Sequence, residues 1–318
     1  LFWEALAGAQ AGGLQWYDCG AIFPNATDPK QKGLSTFKTK FGGEAHRRYV
    51  CRWPIQPSAP AQASAEENLR RAYEAGNIYK ADTVCNQLKK NSAEYNDRLL
   101  AEKLDTVRRH ARPGLLVDLC CATGDHLFEL SDVSDQCLGI DFSRPFIDRA
   151  REKAGRLGLK HVRFEVGNAK AMQLESSSVT TLYSLSALYQ IPGIHEVFSE
   201  VARVLQAGGR CVLDLGNIRS LNAISVRAYT ELPPSFHLTV AEMQRLCASN
   251  GLRIIEHRRF QLLPLWSDKP RWLYPLLHPV WKKIMSKRIK GRMLDEWLCA
   301  APVLRSFAFR HLIVCEKI

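Results

Sequence analysis

Two cysteines, Cys120 and Cys121, stand side by side in GLLVDLCCATGDH (114–126), with Asp118 before them and Gly124 behind. Adjacent thiols beside a carboxylate and a histidine could ligate a metal, cycle to a disulfide, or fill a tight turn. The first two chemistries need more Cys or His at ligand spacing, and none of the ten cysteines forms a Cys-x-x-Cys pair. Cys137 in CLGID, Cys211 in RCVLDLG and Cys315 in HLIVCEK lie inside apolar runs, which suits reduced, buried thiols and no metal site. The turn reading asks for small residues where the backbone bends and a ligand approaches, and Ala122 and Gly124 supply them. Asp141 in GIDFS and Asn168 in VGNAKAM each close a further apolar run. A carboxylate in the first position can accept from both ribose hydroxyls, and an amide in the second can bond an adenine edge. The single Gly of the turn disfavours NAD or FAD, whose turn carries Gly-x-Gly-x-x-Gly.

These residues need strands to end where they stand. LLVDLC (115–120), CLGID (137–141), VRFEV (162–166), VTTLYSLS (179–186) and RCVLDLG (210–216) have strand length and apolar character. Helical patterns alternate with them: 125–131, RPFIDRAREKAGRLG after the N-cap Ser143, and HEVFSEVARVLQ up to Gly208-Gly209. A helix at 239–250, a strand at 252–260 and a last strand at 308–317 follow. The expected fold is α/β: a Rossmann-like, mostly parallel sheet of seven strands with an antiparallel last strand. Its ligand belongs at the carboxyl ends of the first strands.

The 318 residues have room for one large or two modest domains, and 46% apolar content suits a substantial core. Residues 55–65, IQPSAPAQASA, read as a linker. The helical region after it, 66–112, places Leu99, Leu100, Leu104 and Val107 on one face and stops at Pro113-Gly114. Residues 113–318 form the main domain, with an insertion at 262–300. The balance of 44 Lys and Arg against 32 Asp and Glu gives +12, which fits an anionic partner or a solvated basic surface. No apolar run reaches membrane-spanning length and LFWEALAGAQ is unlike a signal peptide, so a cytoplasmic location is expected. The missing initiator Met suggests a piece of a longer product.

VDLCCATGD, GIDFS, GNAKAM and EVARVLQAGGRCVLDLGN together resemble the motifs of class I S-adenosylmethionine-dependent methyltransferases, over residues 92–318. The resemblance implies S-adenosylmethionine as cofactor. Asp118, Ala122 and Gly124 would line its methionine part, and Cys120, Ala169 and Ser184 would be further cofactor-binding residues. Asp141 would bind the ribose, Phe142 would flank the adenine and Asn168 would bond it. In this sequence Cys120 and Cys121 replace common glycines, Asn168 replaces an acid, and Thr180 stands where many relatives carry Asp. These departures keep a second reading open: a non-catalytic scaffold of the same fold that binds a membrane or a protein.

No Asn-Pro-Pro-Tyr signature appears, which disfavours amino-group methylation of DNA bases or glutamine. The resemblance implies an enzyme acting on a small-molecule or lipid-linked acceptor, with oxygen as the preferred nucleophile. Acceptor-side candidates are Tyr189, His195 and Asp214, with Tyr183, Asn217 and His126 behind them. The stretch 269–292 carries eight Lys or Arg and no acid, interleaved with Trp272, Tyr274, Trp281 and Ile289. It suits a peripheral segment on anionic lipid, a lid, or a packed hairpin with a basic outer face; nucleic acid is disfavoured. Residues 1–54 are similar to the end of a Fem-type aminoacyl transferase, in GLQWYDCGAIF and GLSTFKTKFGGE. That likeness implies a truncated small α+β remnant and a place in cell-envelope or polysaccharide biosynthesis.

Overall fold

A computed structural model describes residues 27–40, 67, 93–228, 235–264 and 270–318. The GLQWYDCGAIF stretch, the linker at 55–65 and, of the helical region 66–112, most of residues 66–92 lie outside the described residues. The chain divides into two units, Leu1–Gln56 and Pro57–Ile318. In the first, helix α1 (Pro29–Thr39) takes up much of the GLSTFKTKFGGE stretch. Pro29 opens it, and the Asp28 carboxylate caps it by accepting from the Gln31 amide at 2.9 Å.

The second unit holds a seven-stranded sheet. Its strands are β1 (Leu115–Leu119), β2 (Gln136–Asp141), β3 (Val162–Val166), β4 (Val179–Ser184), β5 (Leu205–Gly216), β6 (Leu252–Phe260) and β9 (Arg310–Lys317), in the order β3-β2-β1-β4-β5-β9-β6. The pairs from β3 to β5 are parallel, and β9 runs antiparallel between β5 and β6, as the sequence predicts. The chain moves outward from β1 to β3 and then crosses back to β4 on the other side of β1. That crossing opens a crevice at the carboxyl ends of β1 and β4.

Alternation along the strands sends side chains into two cores. Val117, Leu119, Leu182, Leu213 and Ile313 meet the apolar stripe of α5 (Ile194–Val204) and of α7 (Val240–Ser249). Leu116, Tyr183, Val212, Leu312 and Val314 face α2 (Ala93–His110), α3 (Asp125–Glu129) and α4 (Arg144–Leu157). Seven described cysteines are free thiols, six of them buried. Among the described residues no helix is long and apolar enough to cross a membrane.

Three boundaries depart from expectation. Helix α5 ends at Val204, because Leu205 already pairs with Val179; the register shift that follows absorbs Gln206–Gly209. Gly208, at φ +72°, therefore serves an irregularity in the strand and not a helix cap. Helix α6 (Leu221–Arg227), N-capped by Ser220, has no counterpart in the sequence reading. The 262–300 insertion is more broken than a helical hairpin: α8 (Tyr274–Leu277), α9 (Val280–Met285), the ribbon β7 (Arg288–Ile289) and β8 (Arg292–Met293), then α10 (Leu294–Ala300).

The insertion is fastened to α2 by buried polar contacts. Tyr95 donates to Asp295 Oδ2 at 2.7 Å, while Met285 and Met293 pack in the same core as Tyr95 and Leu99. Arg258 on β6 donates to Glu296 at 2.8 and 2.7 Å, to Glu102 Oε2 at 2.8 Å and to Thr106 Oγ1 at 2.8 Å. Arg258→Ala leaves the carboxylates of Glu102 and Glu296 buried without their shared cation. Urea denaturation should record a loss of about 3–5 kcal/mol, while a loss below about 1 kcal/mol would show that the network is dispensable.

Candidate active site

Strand β1 ends in a sharp turn whose shape is set by hydrogen bonds to the end of β2. The amides of Cys120 and Cys121 both donate to the Ile140 carbonyl, at 2.7 and 3.1 Å, and the Gly124 amide closes back on Cys121 at 2.8 Å. Asp141 completes the arrangement: Oδ2 accepts from the Ala122 amide and Oδ1 from the Ser143 amide, each at 2.9 Å. An ionised carboxylate has about four acceptor positions, so two remain for a ligand's hydroxyls. The turn needs left-handed backbone at Cys120 (φ 65°), Ala122 (φ 47°) and Gly124 (φ 77°). Gly124 also has no room for a side chain, since a Cβ would lie 2.5 Å from the Phe164 ring.

The two cysteines separate into different roles. Cys121 is buried and packs against Phe164 and the Gly139 backbone, where a Cβ on Gly139 would meet its sulfur at 2.8 Å. It is a core residue, and the position that demands glycine-like backbone is Cys120. Burial, followed by the neighbouring Asp141 and Asp118, raises the Cys120 thiol well above the ordinary range; burial likewise raises Cys121. Both thiols are thus protonated and poor nucleophiles or ligands.

Beside the turn, Asp118 Oδ2, Tyr183 Oη and Ser184 Oγ are buried without a hydrogen-bond partner among the described residues. Burial drives the Asp118 carboxyl well above its ordinary pKa; the nearby Tyr183 hydroxyl eases the shift without completing a hydrogen bond, and Asp141 adds to it. Burial also raises Asp141, against the two amides that hold it. This half of the site is thus rich in buried acceptors and electronegative. It fits a cationic ligand bearing hydroxyls, which describes S-adenosylmethionine. Of the other cofactor residues predicted from sequence, Phe142 is half-buried at the edge of the same strand end. Asn168 is exposed with Oδ1 accepting from the Lys170 amide at 2.9 Å, and Ala169 packs into the core. Thr180 lies at the opposite, amino end of β4, where its hydroxyl donates to the Leu115 carbonyl at 2.9 Å. Its departure from the family pattern therefore does not touch this crevice.

A second polar cluster lies at the carboxyl ends of β4 and β5. Asp214 is fully buried, and its Oδ2 accepts from Lys103 Nζ at 2.7 Å and from the Ser186 amide and hydroxyl at 3.0 Å each. Burial works to raise this carboxyl, but Lys103 and then Arg310 overcome it and hold it below the ordinary range. His126, half-buried on α3, is lowered first by burial and then by Lys103, so its imidazole is neutral at pH 7. Tyr189 lies under the Arg310 guanidinium, 4.6 Å from the ring centre. Two candidates stand elsewhere. His195 is exposed, 3.8 Å from Glu196, and the Asn217 amide is committed to the Ser306 and Ala308 carbonyls at 2.9 Å.

Sequence reasoning missed Lys103, Ser186, Arg310 and His237. Lys103 carries a legible signal, because it sits four residues from both Leu99 and Val107 on the apolar face of α2. A lysine on such a face must find a buried anion. Nothing in the local sequence marks His237.

Residues 116–209 match the family described as a methyltransferase domain. The likeness to that family is confined to this segment. The chain is 36% identical over 100 residues to the demethylmenaquinone methyltransferase of Lactococcus lactis, which covers 30% of this chain and 40% of the relative. It is 30% identical over 156 residues to the protein of the same name from Oceanobacillus iheyensis, covering 47% of this chain and 62% of the relative. The chain thus spans about half the length of the curated relatives it matches. Among solved structures it is similar to the geranyl diphosphate C-methyltransferase of Streptomyces coelicolor A3(2), in complex with Mg2+, geranyl-S-thiolodiphosphate and S-adenosyl-L-homocysteine. The TM-score is 0.53 at 20% identity, over 82% of this chain and 99% of that one. At that identity the likeness establishes the fold. The family match does not reach residues 1–54.

The left-handed backbone at Cys120 carries a penalty of about 1–2 kcal/mol for any residue with a Cβ. Cys120→Gly should therefore unfold in urea at the same or a higher midpoint than the wild type. Cys121→Gly should lose about 2 kcal/mol through missing packing and added backbone freedom. The opposite ranking would overturn the separation of the two roles.

Proposed function

We propose that this chain transfers the methyl group of S-adenosylmethionine to a small-molecule acceptor of the quinone class named in its relatives. The observation that carries the reading is Asp118: a buried carboxyl with an unpartnered oxygen, beside a turn that Asp141 holds open at the crevice of the sheet. When bound, the cofactor supplies a methyl group already activated on a sulfonium, so the protein has to align the acceptor and receive a proton. Asp118, Cys120, Ala122, Gly124 and Ser184 would surround the methionine part. Asp141 would take the ribose hydroxyls, with Phe142, Asn168 and Ala169 on the adenine side. We take a hydroxyl oxygen of the reduced, hydroquinone form of such an acceptor as the nucleophile. His126, neutral at pH 7, is the group suited to accept its proton, because Asp214 is already committed to Lys103 and Ser186. Tyr189 forms a wall of the acceptor side.

The insertion supports a lipid-linked acceptor reached at a membrane, in keeping with a role in cell-envelope or polysaccharide assembly. Trp272 and Tyr274 are 67% and 61% exposed, and Lys283, Lys287, Arg288 and Lys290 of the same segment are exposed as well. Exposed aromatic rings among basic residues suit the headgroup region of anionic lipid. The protein should co-sediment with phosphatidylserine vesicles at low salt and be released at high salt. Equal recovery with phosphatidylcholine vesicles would remove the membrane from this reading.

Asp118 also gives a pH dependence. In the free protein its carboxyl stays protonated well above the ordinary carboxylate range, whereas a cationic ligand favours the ionised form. Affinity for S-adenosylmethionine should thus fall as pH is lowered through that raised pKa, by up to about tenfold per unit, with proton release on binding. A folded-state pKa above the unfolded one subtracts stability as pH rises, so Asp118→Asn should stabilise the free protein at neutral pH. The same substitution should weaken cofactor binding, as titration calorimetry in buffers of different ionisation enthalpy can measure. Wild-type protein that binds no S-adenosylmethionine at all would favour the scaffold reading.

A further inference from the structure

The acceptor side of the site carries more positive charge than its own residues neutralise. Asp214 on β5 is a single carboxylate facing two cations, Lys103 from α2 at 2.7 Å and Arg310 from the start of β9 at 4.0 Å. Lys103 and Asp214 are bonded to each other, but Arg310 Nη1 is buried without a hydrogen-bond partner among the described residues. Its guanidinium carbon lies over two aromatic rings, 4.6 Å from the centre of Tyr189 and 4.8 Å from that of Phe309. Cation–π contacts of this kind hold the guanidinium in place without consuming its N–H donors. His237 joins the same group, with its ring 5.6 Å from Tyr189 and 5.1 Å from Phe309. Both of its nitrogens are buried and without a hydrogen-bond partner among the described residues. It is pressed onto the end of β5, where a Cβ on Gly216 would lie 2.2 Å from Nδ1. A neutral imidazole there offers one N–H donor beside the guanidinium. Buried donors of this kind are costly to leave unsatisfied, and both belong to one aromatic cluster, around Tyr189 and Phe309, beside an excess of one positive charge.

We infer that Arg310 and His237 form an anion-binding subsite that anchors an acceptor through an oxyanion such as a carboxylate or phenolate. The inference deepens the methyl-transfer reading and rests on it for the word acceptor. The anchored oxyanion is distinct from the hydroxyl that loses its proton to His126. In the transfer, the bond from the methyl carbon to sulfur breaks as the bond to that hydroxyl oxygen forms, and the charge at Arg310 is unchanged. Specificity follows from the charge, because an uncharged isostere would leave the Arg310 fork and its extra positive charge unmatched.

The test titrates naphthalene-2-carboxylate and its uncharged isostere naphthalene-2-carboxamide into the full chain, with and without saturating S-adenosyl-L-homocysteine. Calorimetry should show the carboxylate bound at least tenfold more tightly than the amide. Arg310→Gln should abolish that preference while S-adenosyl-L-homocysteine affinity stays within threefold, and His237→Gln should reduce it. Equal binding of the two probes by the wild type, or no binding of either, overturns the subsite without any variant having to fold. Loss of S-adenosyl-L-homocysteine binding in a folded Arg310→Gln assigns the anion to the cofactor's own carboxylate and overturns it as well. If wild-type protein binds no S-adenosyl-L-homocysteine, the methyl-transfer reading fails, and the probe preference of the free protein still decides the subsite.

Discussion

The crevice depends on one constraint: three carboxylates, Asp118, Asp141 and Asp214, close three parallel strands inside the protein, away from water. Removing a carboxylate from water is unfavourable unless something replaces its hydration. Each of the three meets that requirement differently. Asp141 receives backbone amides and thereby shapes the turn. Asp214 receives an ammonium and a serine, and it organises the opposite bank. Asp118 keeps an oxygen without a protein partner and answers burial by holding its proton. The crevice consequently has an acceptor-rich bank at β1 and β2 and an electropositive bank at β5 and β9. A cationic ligand on the first bank would favour the ionised form of Asp118, whereas the second bank favours an anion without any change of its own.

Helix α2 joins this polarity to the rest of the unit. Successive residues on it serve different ends: Lys103 enters the crevice, while Glu102 and Thr106 enter the buried network around Arg258. Arg108 pairs with Asp132 at 2.7 Å, and Arg109 with Glu256 at 3.2 Å. The insertion bears on the same helix through Asp295 and the buried methionines. The position of Lys103 is thus fixed by contacts well outside the site, so disturbing the insertion also disturbs the acceptor bank.

The sheet was legible because its strands are short apolar runs punctuated by glycine turns, and parallel strands buried on both faces have that appearance. The turn and the carboxylates beside it were legible for a related reason: Asp118, Gly124 and Asp141 occupy fixed offsets from strand ends. What stayed hidden depends on pairing between distant segments. The end of α5 could not be placed from Gly208-Gly209, because Leu205 was claimed by Val179 across the sheet. Cys120 and Cys121 looked equivalent, and only the backbone angles and the approach of Phe164 separate them. Arg310 and His237 reach the site from segments that carry no motif, joined by contacts with the Phe309 ring that have no sequence period.

The match to the methyltransferase family stops at residue 209 and begins at 116. Asp118, Asp141 and Ser184 lie within those limits, whereas Lys103, Asp214, His237 and Arg310 lie beyond them. On the proposed reading the matched segment would hold the cofactor, and it would also contribute His126, Ser186 and Tyr189 to the acceptor side. Lys103, Asp214, His237 and Arg310 would complete that side from outside it, so the two banks are drawn unequally from the part of the chain that is similar to known proteins.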